Sequence, residues 1–144
     1  MILLDTNVPI YAYDPDSLFY QWARDTIVDA VTGDGAAINA VSLAEICVGD
    51  ADPPTAADRI RSWGVQILDV PAAAADVCAM AYRRYRKRRV SQSDTPVPVM
   101  PLPDFFIGAH AWIMGWEIAT ADRGRFFAYF PSVSLKMPQL PAPG

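Results

Sequence analysis

Four acidic side chains stand where carboxylates could gather. Asp5 and Asp122 each come at the end of a short apolar stretch, Glu45 lies within an apolar segment, and Asp104 opens another. Ligands of open parallel sheets bind beyond the carboxyl ends of the strands, so such positions favour a functional site. Four carboxylates facing one strand end would repel one another unless a cation neutralised them, and Mg²⁺ and Mn²⁺ prefer carboxylate oxygens. The residue types therefore predict a site for a hard divalent cation.

Each acid also has a purely structural interpretation. Asp5 could cap the next helix, Asp104 could complement a helix dipole, and Asp122 could begin a turn with the two residues after it. Glu45 could complete a capping box with Ser42. Taken singly, each acid fits its structural role at least as well as a role in catalysis. Only the four acids together favour a metal site.

The elements that must position these acids alternate between strand-like and helix-like segments. This alternation predicts an α/β fold with a central, mainly parallel sheet of four or five strands. The predicted strands are 2–4, 36–39, 65–68 and 118–120, with an edge strand at 133–135. The predicted helices are 18–32, 42–48, 55–63, 71–90 and 104–116. Residues 91–103 are rich in serine and proline and are predicted to form a loop.

The charge is unevenly distributed along the chain. Six of the seven residues from 83 to 89, the basic strip, are basic, and the rest of the chain holds six basic against sixteen acidic residues. An acidic body with one basic strip suits a protein that gathers cations in one place and holds a polyanion in another. Contact with nucleic acid, contact with an acidic protein partner, and a solvated face that serves only solubility all remain open.

Several classes of protein are disfavoured. Cys47, Cys78 and the only histidine, His110, lack the spacing of a zinc site, so we expect reduced, packed thiols. No apolar run approaches the roughly 20 residues of a membrane span, and the first residues lack the features of a secretory signal, so we expect a cytoplasmic protein. The sequence contains no Gly-x-Ser-x-Gly, P-loop or G-x-G-x-x-G motif. A phosphatase of the haloacid-dehalogenase type needs a second aspartate where Asn7 stands.

Four motifs together resemble the successive acidic motifs of PIN-domain nucleases. They are Leu4-Asp5-Thr6-Asn7, Leu43-Ala44-Glu45-Ile46, the segment PDFFIGAHA at 103–111, and the segment TADRGRF at 120–126. The resemblance extends from Asp5 to about Pro131, and the order and spacing of the motifs are far more specific than any one of them. More narrowly, the chain resembles VapC-type toxins of type II toxin–antitoxin modules.

The resemblance implies a PIN-like three-layer α/β/α sandwich that forms a single nuclease domain over 1–137, with an irregular tail at 138–144. One or two Mg²⁺ ions, with Mn²⁺ as a substitute, would activate a water that hydrolyses an RNA phosphodiester bond. The implied catalytic and metal-site residues are Asp5, Glu45, Asp104 and Asp122. The residues implied to support them by orienting carboxylates and water are Thr6, Asn7 and Thr120.

The resemblance also implies partners: RNA, a VapB-like antitoxin that occludes the active site, and a second copy in a homodimer, with no membrane contact. The residues expected to contact RNA are Arg86, Lys87, Arg88, Arg89, Arg123 and Arg125. His110 lies six residues after Asp104, which on a helix turns it away from the metal face, so we expect a packed or partner-facing side chain. The alternative function is a catalytically silent PIN-like module that binds RNA or a protein without cleaving it.

Overall fold

A parallel sheet forms the centre of the computed structural model, which describes residues 1–91, 100–122, 124 and 126–139. Its strands are β1 (Ile2–Leu4), β2 (Ala36–Asn39), β3 (Gln66–Leu68), β4 (Glu117–Ala119) and β5 (Leu135–Lys136). They lie in the order β3-β2-β1-β4-β5, and every pairing between neighbours is parallel. The predicted α/β class and the larger of the two predicted strand numbers are confirmed.

Six helices connect and cover the strands. They are α1 (Asn7–Tyr13), α2 (Tyr20–Thr32), α3 (Ala40–Val48), α4 (Pro53–Ser62), α5 (Ala74–Ser91) and α6 (Leu102–Met114). The five predicted helices are all present, with bounds that differ by one to three residues where they differ. The sequence did not predict α1, because a helix of 7 residues with a proline in its first turn has little intrinsic stability. Burial of Val8, Pro9 and Ala12 against the rest of the fold stabilises it.

The sheet separates two apolar clusters. Successive side chains of a strand point to opposite faces, so Leu3 packs on one side and Leu4 on the other. The Leu3 side is covered by residues of α5 and α6, including Tyr85 and Phe105. The Leu4 side is covered by α1, α2, α3 and α4. This arrangement is the three-layer α/β/α sandwich that the resemblance implied.

The strand order creates one place where the direction of winding reverses. The chain passes from β1 outward to β2 and β3, then crosses to β4 on the other side of β1. Open α/β sheets bind their ligands at such a point, beyond the carboxyl ends of the two strands. Residues that directly follow β1 and β4 are therefore the first to consider for a site.

Some sequence predictions fall outside the described residues. These are most of the loop predicted at 91–103, the last five residues of the predicted tail, and the predicted RNA contacts Arg123 and Arg125. Of the tail, residues 138 and 139 are described, and they lie in neither a helix nor a strand. Cys47 and Cys78 are both free, as expected for reduced thiols. Within the described ranges, no helix combines the length and the apolar character needed to cross a membrane.

Candidate active site

Asp5 lies immediately beyond the carboxyl end of β1, at the reversal point of the sheet. Its backbone N–H donates to the carbonyl oxygen of Ala119 at 2.9 Å, which extends the pairing of β1 with β4 by one residue. The Asp5 side chain is almost fully buried, with 1% of its surface exposed. Its Oδ2 accepts a hydrogen bond of 2.9 Å from the hydroxyl of Thr120. The sheet therefore fixes both the depth and the orientation of this carboxylate.

Thr120 connects Asp5 to the loop that follows β4. It is fully buried, and its backbone N–H donates to the carbonyl of Lys136 at 3.0 Å. Its hydroxyl oxygen accepts the backbone N–H of Asp122 at 3.1 Å while donating to Asp5. The side chain of Asp122 is exposed, and its Oδ1 accepts the N–H of Gly124 at 3.1 Å. The turn that was one structural interpretation of Asp122 is thus present beside the site.

Glu45 approaches the same edge from α3. Its side chain is half-buried, and its Oε1 accepts a hydrogen bond of 2.7 Å from the hydroxyl of Thr6, the residue after Asp5. The capping box that was the alternative for Glu45 is not what caps α3. The Asn39 side chain performs that role by accepting the backbone N–H of Ser42 at 2.9 Å. Glu45 therefore makes a long-range contact toward Asp5.

Asp104 occupies the first turn of α6 and is 1% exposed. A carboxylate at this position interacts favourably with the N-terminal end of the helix dipole, as the structural interpretation held. Its burial is unusual for that role, because aspartates that serve only a dipole are normally solvated. The helix α6 packs against α3, which carries Glu45, and against β4. Asn7, the remaining predicted supporting residue, begins α1 and is half-buried.

A buried polar pair that the sequence analysis missed joins the two acid-bearing helices. Asn39 ends β2, caps α3 and is fully buried, while His110 lies in α6 and is 1% exposed. Asn39 Nδ2 lies 3.3 Å from His110 Nδ1, and the His110 ring packs 5.5 Å from that of Trp116. Burial lowers the pKa of His110 below its usual 6.5. His110 is therefore a packed histidine, the first of the two expected roles. An asparagine three residues before Ser42 is a common helix-capping pattern, so the role of Asn39 as the cap of α3 could have been predicted from the sequence.

Hydrogen bonds join five of the predicted site residues into two groups. One contains Asp5, Thr120 and Asp122, and the other contains Thr6 and Glu45. In the part of the chain that the structure describes, no three acidic, histidine or cysteine side chains lie close enough together to hold one ion. Convergence of all four acids on a metal therefore stays a prediction. The donor chemistry itself fits a hard divalent cation, since carboxylate and hydroxyl oxygens dominate this edge.

The basic strip lies along the C-terminal half of α5. Arg86, Lys87, Arg88 and Arg89 are all exposed, whereas Tyr85 is buried at 3% exposure. The hydroxyl of Tyr85 accepts the backbone N–H of Met100 at 2.7 Å, and its ring lies 5.4 Å from that of Phe105, the neighbour of Asp104. The C-terminal end of α5 is thus next to the first turn of α6. The exposed cations are on the same end of the molecule as Asp104.

Comparison with solved structures shows a shared fold. FitAcB from Neisseria gonorrhoeae superposes with a TM-score of 0.65 at 24% identity, covering 94% of this chain and 96% of that one. VapBC2 from Rickettsia felis, bound to a DNA fragment from its promoter, gives a TM-score of 0.63 at 20% identity, covering 95% and 98%. VapC20 from Mycobacterium tuberculosis, a sarcin–ricin-loop-cleaving toxin, gives 0.62 at 18% identity, covering 89% and 94%.

The sequence comparisons address the family directly. No curated protein matches the sequence. The model of the PIN domain family matches residues 2–130, which include all four acidic motifs and every strand except β5. Family membership supports nuclease activity in general. The chain belongs to the PIN domain family.

Proposed function

We propose that the chain is the toxin of a type II toxin–antitoxin module and acts as a metal-dependent endoribonuclease. The observation that carries the proposal is the hydrogen-bonded group of Asp5, Thr120 and Asp122 at the reversal point of a PIN-family sheet. At the carboxyl ends of β1 and β4, the buried carboxylate of Asp5 accepts the hydroxyl of Thr120, and that hydroxyl oxygen accepts the backbone N–H of Asp122. The fold similarity to FitAcB, VapBC2 and VapC20 supports the toxin assignment.

In this proposal each polar residue has a distinct role. Asp5 and Asp104 are the buried acids that would hold a cation, with Glu45 and Asp122 completing the site directly or through water. When bound, Mg²⁺ or Mn²⁺ would supply Lewis acidity at the phosphate and lower the pKa of an attacking water. The residues that orient the acids and water are Thr6, Asn7 and Thr120, the two threonines through their hydroxyl contacts with Glu45 and Asp5.

Glu45 and Asp122 are the two acids whose side chains can rotate to complete a cation site. The Asp122 carboxylate contacts the Gly124 amide, and the Glu45 carboxylate contacts Thr6. Because Asp122 is exposed and Glu45 half-buried, rotation of either side chain displaces little packed structure. We therefore expect these two acids, rather than Asp5 or Asp104, to change conformation when a metal binds.

RNA would be held by the basic strip and by Arg123 and Arg125. Arg86, Lys87, Arg88 and Arg89 are exposed on the end of the molecule that carries Asp104. Cationic side chains near a cleavage site neutralise phosphates and release counterions, which makes binding strong at low salt and weak at high salt. The exposed position of these four residues supports a role in contact with a polyanion.

Protein partners in this proposal are a VapB-like antitoxin and a second copy of the chain. The helix α6 exposes three successive large apolar residues, with Trp112 48%, Ile113 37% and Met114 44% exposed. Clustered exposed apolar side chains are typical of protein interfaces. These side chains support the presence of a protein partner at the C-terminal end of α6, and the antitoxin would inhibit by covering the site.

The decisive experiment compares the purified chain with three single variants on a pool of cellular RNA, in Mg²⁺, in Mn²⁺ and in EDTA. Asp5→Asn and Asp104→Asn remove one charge each from the proposed site. Asp58→Asn makes the same chemical change on the exposed surface of α4. Among the described residues, Asp58 forms a salt bridge with Arg61 alone. New RNA ends are mapped by sequencing, and folding is checked by circular dichroism.

Discrete cuts that need metal, Asp5 and Asp104 but not Asp58 are the expected result. Equal cutting by Asp5→Asn and the wild type would contradict the proposed site. RNA binding without any cutting would instead favour the silent binding module.

A further inference from the structure

A cleft lies between the C-terminal end of α5 and the segment that leads into α6. It has a volume of about 460 Å³, and its walls include Tyr82, Arg86, Arg89, Met100 and Pro101. Small-molecule sites commonly occupy clefts of about 300–1,000 Å³, so the space suits a ligand of nucleotide size. The cleft combines cationic and aromatic side chains on one side with apolar ones on the other.

The cationic side of the cleft consists of two arginines from one helix face. Arg86 and Arg89 are three residues apart on α5, so their side chains are neighbours. The Cζ atom of Arg89 lies 5.9 Å from the centre of the Tyr85 ring, and its Nη1 lies 3.5 Å from the Tyr85 hydroxyl. These contacts hold one guanidinium at the cleft. Guanidinium groups bind phosphate oxygens in a bidentate manner, which two adjacent arginines reinforce.

The aromatic side of the cleft is anchored to the first turn of α6. Tyr82 is half-buried, and its ring meets that of Phe105 edge to face at 5.2 Å and 79°. Phe105 is the residue after Asp104 in α6, so the Tyr82 ring packs against the helix turn that carries Asp104. Tyr85 cannot offer its own face to a ligand in the same way, because it is 3% exposed. Tyr82 is therefore the ring on which a base could rest.

We propose that this cleft binds one nucleotide of single-stranded RNA, with its phosphate on Arg86 and Arg89 and its base against Tyr82. The proposal rests on the proposed ribonuclease function and names a subsite of it. Single-stranded nucleic acid is bound in this manner elsewhere, by cationic grooves that follow the backbone and aromatic rings that stack on bases. An acidic protein partner would also use the two arginines, and the base contact of Tyr82 is the feature that distinguishes the RNA subsite in the test below.

The proposal divides the basic strip into residues with different roles. Arg86 and Arg89 line the cleft, whereas Lys87 and Arg88 are exposed elsewhere on α5. Arg84 has a structural contact, since its Nη2 donates to the carbonyl of Tyr129 at 3.2 Å. If RNA were held by diffuse electrostatic attraction, removing any two exposed cations would weaken binding about equally. If the cleft is a subsite, removing Arg86 and Arg89 weakens binding far more than removing two other cations of the strip. This difference can be measured.

The test compares two double variants that each remove two positive charges. Arg86→Gln with Arg89→Gln empties the cleft of cations, and Lys87→Gln with Arg88→Gln is the matched control on the same two turns. Binding of a labelled single-stranded RNA oligonucleotide is measured by fluorescence anisotropy at several salt concentrations, in the wild type and both variants. For the cleft variant we expect a Kd raised about tenfold or more, and a salt slope shallower by about 0.7, the value for one lost phosphate contact on a single strand. For the control we expect a change of about threefold at most.

A second pair of variants tests the base contact. Tyr82→Leu should weaken RNA binding by about tenfold, whereas Tyr82→Phe keeps the ring and should bind like the wild type. Where RNA is cleaved, the cleft variants should raise KM and alter the preferred cleavage sites while leaving kcat within about twofold. Thermal unfolding is measured for every variant. An unfolding temperature equal to that of the wild type would show that the substitution leaves the fold intact.

The outcomes separate the subsite from the ribonuclease function. Equal losses in the two double variants would overturn the subsite, whether or not the wild type cleaves. Asymmetric binding without cleavage would support the subsite and contradict the proposed catalysis. A wild-type chain that neither binds nor cleaves RNA would overturn both.

Discussion

The contact between Asn39 and His110 makes the stability of the fold depend on one proton. Asn39 Oδ1 accepts the N–H of Ser42, so the amide nitrogen of Asn39 faces the ring and lies 3.3 Å from His110 Nδ1. An amide nitrogen can only donate, so His110 Nδ1 must accept, which requires a neutral imidazole. Protonation would place two donors against each other where both residues are at most 1% exposed. The lowered pKa of His110 agrees with this arrangement.

The sign and size of the effect follow from proton linkage. The histidine of the unfolded chain titrates near 6.5 and that of the folded chain lower, so between these values the unfolded state binds more protons. The stabilisation is fully present above the unfolded pKa and is lost as the pH falls from there through the folded pKa. One proton changes the free energy of unfolding by at most about 1.4 kcal/mol for each pH unit. The chain has one histidine, so no other histidine contributes in this range.

The assay is urea unfolding of the wild type and of His110→Gln at several values between about pH 7.5 and about pH 5. Glutamine can accept the Asn39 amide through its carbonyl oxygen but does not titrate, and carboxylate titration affects both proteins alike. We expect the wild type to lose unfolding free energy relative to the variant as the pH falls below 6.5, by at most about 1.4 kcal/mol for each pH unit. Parallel pH profiles for the two proteins would refute a neutral, accepting His110.

Three substitutions test packing, backbone conformation and carboxylate orientation. Gly108→Ala should lower stability by about 1–3 kcal/mol in urea unfolding, because its Cβ would overlap the ring of Phe130; an unchanged midpoint would show that the ring moves freely. Gly115→Ala should cost about 1–2 kcal/mol in the same assay through its φ of +68° alone, since its Cβ would meet no atom of the described chain within 4 Å. Thr120→Val removes the hydroxyl that contacts Asp5 and should weaken Mn²⁺ binding about tenfold in calorimetry; wild-type affinity would exclude this orienting role.

Much of the fold could be predicted from local sequence patterns. Short apolar runs predicted the strands, and helical spacing predicted five helices, because these patterns reflect which face each element buries. The helix α1 was missed, since its stability comes from burial of Val8 and Ala12 and not from its own residues. Tyr85 interrupts the basic strip and is buried, because it shares one apolar helix face with Cys78 and Ala81, which are also buried.

The site was predictable in composition but not in its contacts. That Asp5 follows one strand and Thr120 ends another could be predicted from the sequence, but they contact each other only because β4 pairs with β1. Local patterns do not specify strand order, so a contact across 115 residues cannot be deduced from them. The same limit applies to Asn39 and His110, which are 71 residues apart.

The proposed acids differ in how firmly the fold holds them, and this bears on how the site would work. Asp5 is held by sheet pairing and a buried hydroxyl, and Asp104 is buried in the first turn of a packed helix. Glu45 lies on α3, which covers the other side of the sheet from α6, and its carboxylate is held by one hydrogen bond from the hydroxyl of Thr6. The side chain of Asp122 is exposed. Substitution of Thr6 should disturb the site less than substitution of Asp5, because the Thr6 hydroxyl orients Glu45 whereas Asp5 would itself hold the cation. Asp5 and Asp104 would therefore determine where a cation binds. Glu45 and Asp122 would determine whether its coordination is complete.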